Sequence, residues 1–433
     1  MLPQKYVKWL ATQSETILSS VAVRIERNGI HYLPTTADPK SSVQFIDKVI
    51  GQALSRNLDV VHPDMYDEIR HVVDEVMGTD VSSWHEINLS ETMSTIVDRA
   101  STRVLFGLTL CRNGLYLRIL RFYIIFMGAS TLLIGQLPPW FLRPLVGVLL
   151  MIPTAIFKKL MASYIQPSVE ERIQNVGENL PDENCSPMAC DFVTQSVQCV
   201  KKFRLSIMGD VSTYLTEQFL FLAFAAIATT GVAATNIFLD IFSANPHLHL
   251  YETLRLEATS VFQSENDWTS PASMKKMTIT DSAIRESLRM NTLQSRGLLK
   301  QVMPKAGISL PDGTHVPQGT WLGVPVQAVH MDDNHYLAPR EYDPLRFARL
   351  KEAEGMESKD DLSVRTSLDC AQPSDNPGRF FAARLLKLLI AYIIMHYDVK
   401  PLARRLQNYS LGDASIPSFT TKIRVRRRNN VEH

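Results

Sequence analysis

Apolar residues at helical spacing constrain this chain more than any other feature of its sequence. They recur every three or four residues over 64–77, 89–106 and 111–127, as in helices that bury one face. A longer helix is predicted from about Phe203 to Ala244, with a break near Gly231. The chain is therefore expected to be built mainly of helices.

Shorter elements complete this prediction. Helices are expected at Asp281–Met290 and Phe380–Tyr397, and Leu310–Thr314 (LPDGT) has the composition of a turn between two short strands. The polar stretch 173–191 is predicted to be a surface loop, and 353–376 an irregular meander. The fold class is mainly α with a small β-rich side.

Charge and cysteine content exclude some classes of partner and cofactor. A net charge of +1 over 433 residues argues against a nucleic-acid partner. The five cysteines are odd in number and have no metal-binding spacing, so reduced thiols facing the cytosol are expected. Nothing in Met1–Leu10 is typical of a signal peptide.

Two uncharged stretches, 122–142 and 144–157, indicate contact with a core or a membrane surface. Pro138 and Pro139 end the first stretch early, so two short apolar helices are predicted rather than a membrane span. The basic run Lys422–Arg428 alternates with apolar residues and is predicted to be a solvated strand. Contact of that strand with anionic lipid is the alternative.

Three segments in the second half of the chain carry chemical information. Residues 286–289 form an E-x-x-R pattern whose acid and base share one helix face. That pattern is weak alone, since Glu252 and Arg255 repeat it. Two further segments follow this pattern along the chain, Tyr342–Phe347 (YDPLRF) and then Asn376–Ala382 (NPGRFFA).

In this order and spacing the segments resemble the haem-thiolate monooxygenases, the cytochrome P-450 family, and several stretches look closest to its fungal members. The resemblance extends over 58–428 and implies a single helical domain, 1–433, with a small β-rich side. The family's membrane anchor and first strands are expected to be missing at the N-terminus.

The resemblance also assigns roles to residues. Glu286, Arg289 and Arg346 would form a buried structural triad behind the haem. Ala228 occupies a position where the family has an acid or a histidine, and Thr229 follows it as the family's threonine. A methyl group there would break the relay that delivers protons to iron-bound oxygen in that family.

Asn376 stands where the family has the cysteine whose thiolate holds the haem iron. Asp369 and Gln372 replace the phenylalanine and glycine of the same loop, and Cys370 lies six residues before Asn376. No other cofactor motif is present in the sequence. These substitutions predict a protein that contains no haem and no other cofactor.

The leading hypothesis is a cofactor-free cyclase or pericyclase, of the Diels–Alder type, that acts on a terpenoid or polyketide in fungal secondary metabolism. Such an enzyme works by orienting its substrate and donating hydrogen bonds. Its ligand would be a lipophilic small molecule, and its place the cytoplasmic face of the endoplasmic reticulum membrane. The candidate donors are Thr229, Thr230, Gln294, Ser295 and Arg296.

Two other hypotheses stay open. One is a haem-dependent monooxygenase with an atypical ligand, or one whose gene model lost its first exons and mis-spliced the cysteine exon. The other is a non-catalytic protein that binds a lipid or a partner oxygenase. Thr229 and Thr230 also have a purely structural interpretation, because threonines in helices often bond to the carbonyl four residues earlier.

Overall fold

The computed structural model describes residues 1–35, 38–49, 58–136, 142–178, 192–202, 210–353 and 378–429. Helices dominate it, as the periodicity predicts. They are α1 Val7–Thr12, α2 Ser20–Arg27, α3 Pro39–Val49, α4 His62–Met77, α5 Leu89–Phe106, α6 Leu108–Cys111, α7 Gly114–Gln136, α8 Arg143–Glu178, α9 Phe192–Lys202, α10 Val211–Phe242, α11 Leu250–Val261, α12 Glu265–Thr269, α13 Ser273–Lys276, α14 Thr278–Met290, α15 Val326–His330, α16 Arg346–Ala353 and α17 Arg379–His396.

The strands form small antiparallel sheets on the β-rich side. One sheet has the order β1-β3-β6 and another β2-β10-β7, and β4-β5 and β8-β9 are hairpins. The strands are β1 Leu18–Ser19, β2 His85–Asn88, β3 Gly297–Val302, β4 Ile308–Ser309, β5 His315–Val316, β6 Trp321–Val324, β7 Tyr397–Val399, β8 Tyr409–Leu411, β9 Ala414–Ile416 and β10 Lys422–Arg427.

Two sequence predictions about strands are confirmed. The turn after Leu310 joins β4 to β5, with Gly313 at a φ of 85° that favours glycine. The basic C-terminal run is strand β10, whose Ile423 and Val425 are buried while its lysine and arginine side chains alternate with them.

The long helix α10 forms the centre of the main hydrophobic core. Asp210 caps its first turn by accepting from the backbone N–H of Thr213 at 2.8 Å. The predicted break at Gly231 is wrong: the helix continues through it to Phe242. Gly231 is buried, and tertiary packing outweighs the cost of about 1 kcal/mol that glycine adds inside a helix.

The two apolar stretches belong to long helices, so the prediction of two short helices is also wrong. Helices α7 and α8 have 23 and 36 residues, and α8 continues through Pro153 and Pro167. Pro138 and Pro139 lie outside the described residues. The surface loop predicted from residue 173 does not begin there, because α8 extends to Glu178 and 179–191 are not described.

Glycines allow the segment around Tyr32 to approach the α7–α8 pair closely. A β-carbon on Gly147 of α8 would lie 2.6 Å from the Tyr32 ring, and one on Gly29 would lie 2.7 Å from Ile134 of α7. Both separations are shorter than van der Waals contact. This close packing therefore depends on glycine, which has no side chain, at both positions.

A buried carboxylate shared by two arginines holds α14, α15 and α16 together. Arg289 donates to both oxygens of Glu286 at 2.8 Å, and Arg346 donates to the same carboxylate at 3.1 Å. Arg289 also donates to the carbonyl of His330 at the end of α15. Helices α14 and α16 therefore meet at one carboxylate whose side chain is fully buried, and α15 joins them through Arg289.

We predict that Glu286→Gln lowers the free energy of unfolding by about 3–5 kcal/mol, because it leaves two buried guanidinium groups without their counter-charge. Urea denaturation measures the loss. Glu252→Gln is the matched control, since Glu252 belongs to the second E-x-x-R pattern but is exposed. Equal stability of the two variants would contradict a structural role for the triad.

Candidate functional site

The candidate threonines lie at the centre of α10. Thr229 is exposed, and its hydroxyl donates to the Ala225 carbonyl at 2.8 Å; Thr230 is buried. Ala225 is exposed and Ala228 half-buried, although most residues on either side of them along α10 are buried. The centre of this core helix thus has an open face that carries one hydroxyl.

The other three candidates lie on the stretch after α14. Gln294 forms a bridge with Ala414, and the backbone N–H of Ser295 donates to the Asp413 carbonyl at 2.7 Å. Arg296 forms an ion pair with the Asp413 carboxylate at 3.1 Å. The tip of the β8–β9 hairpin thus fixes all three candidates, on an element separate from α10.

Asp413 pairs with a second arginine as well as with Arg296. Arg27 of α2 contacts the same carboxylate oxygen at 2.5 Å, and its side chain is 16% exposed, against 47% for Arg296. Burial lowers the pKa of Arg27, and the charge of Asp413 opposes that shift. Arg296 is therefore an ion-paired side chain, and its role as a donor to substrate stays a prediction.

We predict that Arg27→Gln and Arg296→Gln differ in cost although both remove a partner of Asp413. The buried pair should be worth roughly 1.5–3 kcal/mol of unfolding free energy, and the half-exposed pair about 0–1 kcal/mol. Urea denaturation of the two variants, with wild type as reference, measures both. A larger loss for Arg296→Gln would reverse this assignment.

A second buried carboxylate, Asp240 of α10, was missed in the sequence. It accepts from Ser287 and Asn291 of α14 and from Arg405. Burial raises its pKa, and the Arg405 charge opposes the rise. The signal in the sequence was an acidic residue among apolar residues of a helix. An acidic side chain that is buried requires a hydrogen-bonding or charged partner.

A third polar group joins α8 to the first turns of α10. Lys158 pairs with Glu217 at 2.7 Å, and Thr35 donates to the other oxygen of Glu217 at 2.8 Å. The side chains of Lys158 and Glu217 are each 12% exposed. The signal in the sequence was again a charge within an apolar helix.

The described residues fit a haem in two respects. The centre of α10 offers an open face, and the Glu286 triad, which supports the ligand loop in the resembling family, is complete. Asn376 and Cys370 lie outside the described residues, which resume at Gly378, the N-cap of α17. Within the described residues no three His, Cys, Asp or Glu side chains cluster to hold a metal ion.

Comparison with known proteins assigns the chain and its fold to a family. The family described as Cytochrome P450 matches residues 55–362. This chain belongs to the cytochrome P450 family. A relative from Polytolypa hystricis, cytochrome P450 monooxygenase polB, is 66% identical over 99% of this chain and 83% of its own length.

More distant fungal relatives carry the same family name. Cytochrome P450 monooxygenase efuH from Hormonema carpetanum is 33% identical over 98% of this chain and 76% of its own length. The P450 fold is confirmed by the solved structure of retinoic acid bound cyanobacterial CYP120A1. It is 16% identical, with a TM-score of 0.66, and the match covers 98% of this chain and 87% of that one.

These relatives correct the cofactor prediction. The expectation of a cofactor-free protein is wrong, because membership of the cytochrome P450 family at 66% identity to a monooxygenase implies haem. A haem-independent pericyclase has no support among the relatives, whose names describe monooxygenases. The expectation erred by weighing one loop, around Asn376, above the rest of the chain.

Proposed function

We propose that this P450 is a haem-dependent monooxygenase of fungal secondary metabolism, with a lipophilic terpenoid or polyketide intermediate as its substrate. The observation that carries the proposal is the 66% identity to a P450 monooxygenase across 99% of the chain. The open face at the centre of α10 supports it, because a planar cofactor and an apolar substrate both require space beside that helix.

In this proposal bound haem supplies oxygen activation, and the chain supplies position and hydrogen bonds. Thr229 commits its proton to the Ala225 carbonyl, so its oxygen remains an acceptor for a substrate hydroxyl. Ala228 contributes only a methyl group. Proton transfer at this helix would therefore depend on water that donates to the Thr229 oxygen rather than on an acidic side chain.

We predict that the protein, expressed with a haem precursor, binds haem stoichiometrically and that its reduced carbon monoxide complex shows the red-shifted Soret band of a thiolate ligand. Cys370→Ser should abolish that band if Cys370 supplies the thiolate, and Cys190→Ser is the matched control. A protein that binds no haem under these conditions would overturn the proposal and favour a non-catalytic ligand-binding role.

We also propose that the protein associates peripherally with the cytoplasmic face of the endoplasmic reticulum membrane through α7 and α8. Three described helices, α7, α8 and α10, are long and apolar enough to cross a membrane, by length and composition alone. Helix α10 is largely buried in protein. Exposed apolar side chains on the other two support a surface contact: Leu115, Phe122, Ile125, Leu133, Leu145, Val148, Leu149, Ile152, Ile156 and Leu160.

We predict that Leu145→Glu with Leu149→Glu reduces binding to phospholipid vesicles by at least tenfold, because each buried leucine contributes about 1.5–3 kcal/mol. Flotation of the protein with vesicles measures the bound fraction. The control is Leu337→Glu, since Leu337 is 89% exposed but lies between α15 and α16. An equal reduction in the control would point to a general charge effect instead.

A further inference from the structure

A groove lies between α8, the first turns of α10 and the segment at Tyr32. Its volume is about 580 Å³, within the range of about 300–1,000 Å³ typical of small-molecule sites. Apolar side chains form most of its wall, among them Tyr32, Met151, Ile152 and Ala155. Glu217 also lines it and precedes Thr229 by twelve positions, which is about 18 Å along a helix. The groove is thus separate from the centre of α10.

The Lys158–Glu217 ion pair lines the groove and is called its floor here. Both residues also line a smaller cavity of about 30 Å³, together with Gln218 and Phe221. Lys158 additionally donates to the Pro34 carbonyl at 2.5 Å. Because Lys158 and Glu217 already satisfy one another, this pair offers little to an ionic ligand, and Lys159, which also lines the groove, is exposed to solvent. The buried part of the lining therefore suits a neutral ligand.

Two buried polar atoms beside this floor have no hydrogen-bond partner within the part of the chain described. One is the hydroxyl of Thr216, which is 1% exposed and lines the groove. The other is Oε1 of Gln218, which is 2% exposed and lines the smaller cavity, while its Nε2 donates to Ser42. A buried polar atom left unpaired costs about 1–3 kcal/mol, so a ligand that pairs with it gains affinity.

We propose that this groove is a second small-molecule site that binds a neutral lipophilic alcohol. The apolar body packs against Ile152 and Ala155 of α8, and the hydroxyl pairs with Thr216 at the floor. Glu217, Phe221 and Phe224 follow one another along one face of α10, towards Ala228 at its centre. The groove therefore lies at one end of a continuous helix face whose other end is the proposed reaction site.

The proposal is tested with dehydroergosterol, a fluorescent fused-ring alcohol, delivered from cyclodextrin to the full-length protein. Saturable binding is measured by fluorescence anisotropy, and the acetate ester of the same sterol reports the contribution of the hydroxyl. This readout does not require haem, so it succeeds or fails independently of the monooxygenase proposal.

Ala155→Trp fills the groove and should weaken binding of the sterol at least about tenfold, since a filled cavity cannot also hold the ligand. Leu160→Trp is the matched control, because Leu160 is an exposed residue of the same helix that does not line the groove. Unchanged affinity in Ala155→Trp, or the same loss in Leu160→Trp, would overturn the proposal.

Thr216→Val removes the hydroxyl at nearly constant volume. It should weaken binding of the alcohol by about two- to tenfold, the worth of one hydrogen bond, and leave the ester unchanged. Because the hydroxyl has no described partner, the variant should fold at least as stably as wild type, which urea denaturation verifies. Equal effects on alcohol and ester would show that Thr216 is not the partner. Absence of saturable sterol binding to wild type would overturn the site itself.

Discussion

The Glu286 carboxylate is the interaction on which the rest of the site depends. It is buried in protein and is stable there only because two guanidinium groups share it. Residue 287, next along α14, bonds to a second buried carboxylate, Asp240 of α10. Helix α14 is therefore held at two buried carboxylates, to α16 through Glu286 and to α10 through Asp240.

Much of the fold follows from local patterns. The helices Leu89–Phe106 and Arg379–His396 and the β4–β5 hairpin agree with prediction because apolar spacing and turn chemistry are local properties. Gly231 misled the prediction of a break in α10, and Pro153 is a comparable case, since α8 continues through it. Their intrinsic preferences act against a helix, but tertiary packing sustains α10 and α8 through them, and one sequence does not reveal that packing.

Most features of the site that could not be predicted from the sequence are contacts between residues far apart along the chain. Asp413 lies 117 positions after Arg296, and nothing in either segment predicts that they pair. Glu217 and Lys158 are likewise separated by 59 positions. For Glu217, a charge within an apolar helix indicated that a partner must exist, but only the fold identified it.

The cofactor prediction failed because of how information was weighted. Asn376 is one position, and an axial ligand dominates the chemistry of a metal site, so its substitution implied a lost cofactor. Identity of 66% across 99% of the chain reflects hundreds of positions that constrain the protein together. The structure described on either side of that loop includes the Glu286 triad and the open face of α10. Both features agree with the overall identity to a P450 rather than with the single substitution at Asn376.

The absence of a side chain at Gly147 has a consequence for how this family could diversify. The Tyr32 ring, which lines the groove, occupies the space that a β-carbon at position 147 would fill. The position of this ring is therefore set by its contact with the Gly147 backbone. A single base change giving alanine at that position would force the ring outward and alter the width of the opening. Ligand size could then change without any substitution at the centre of α10.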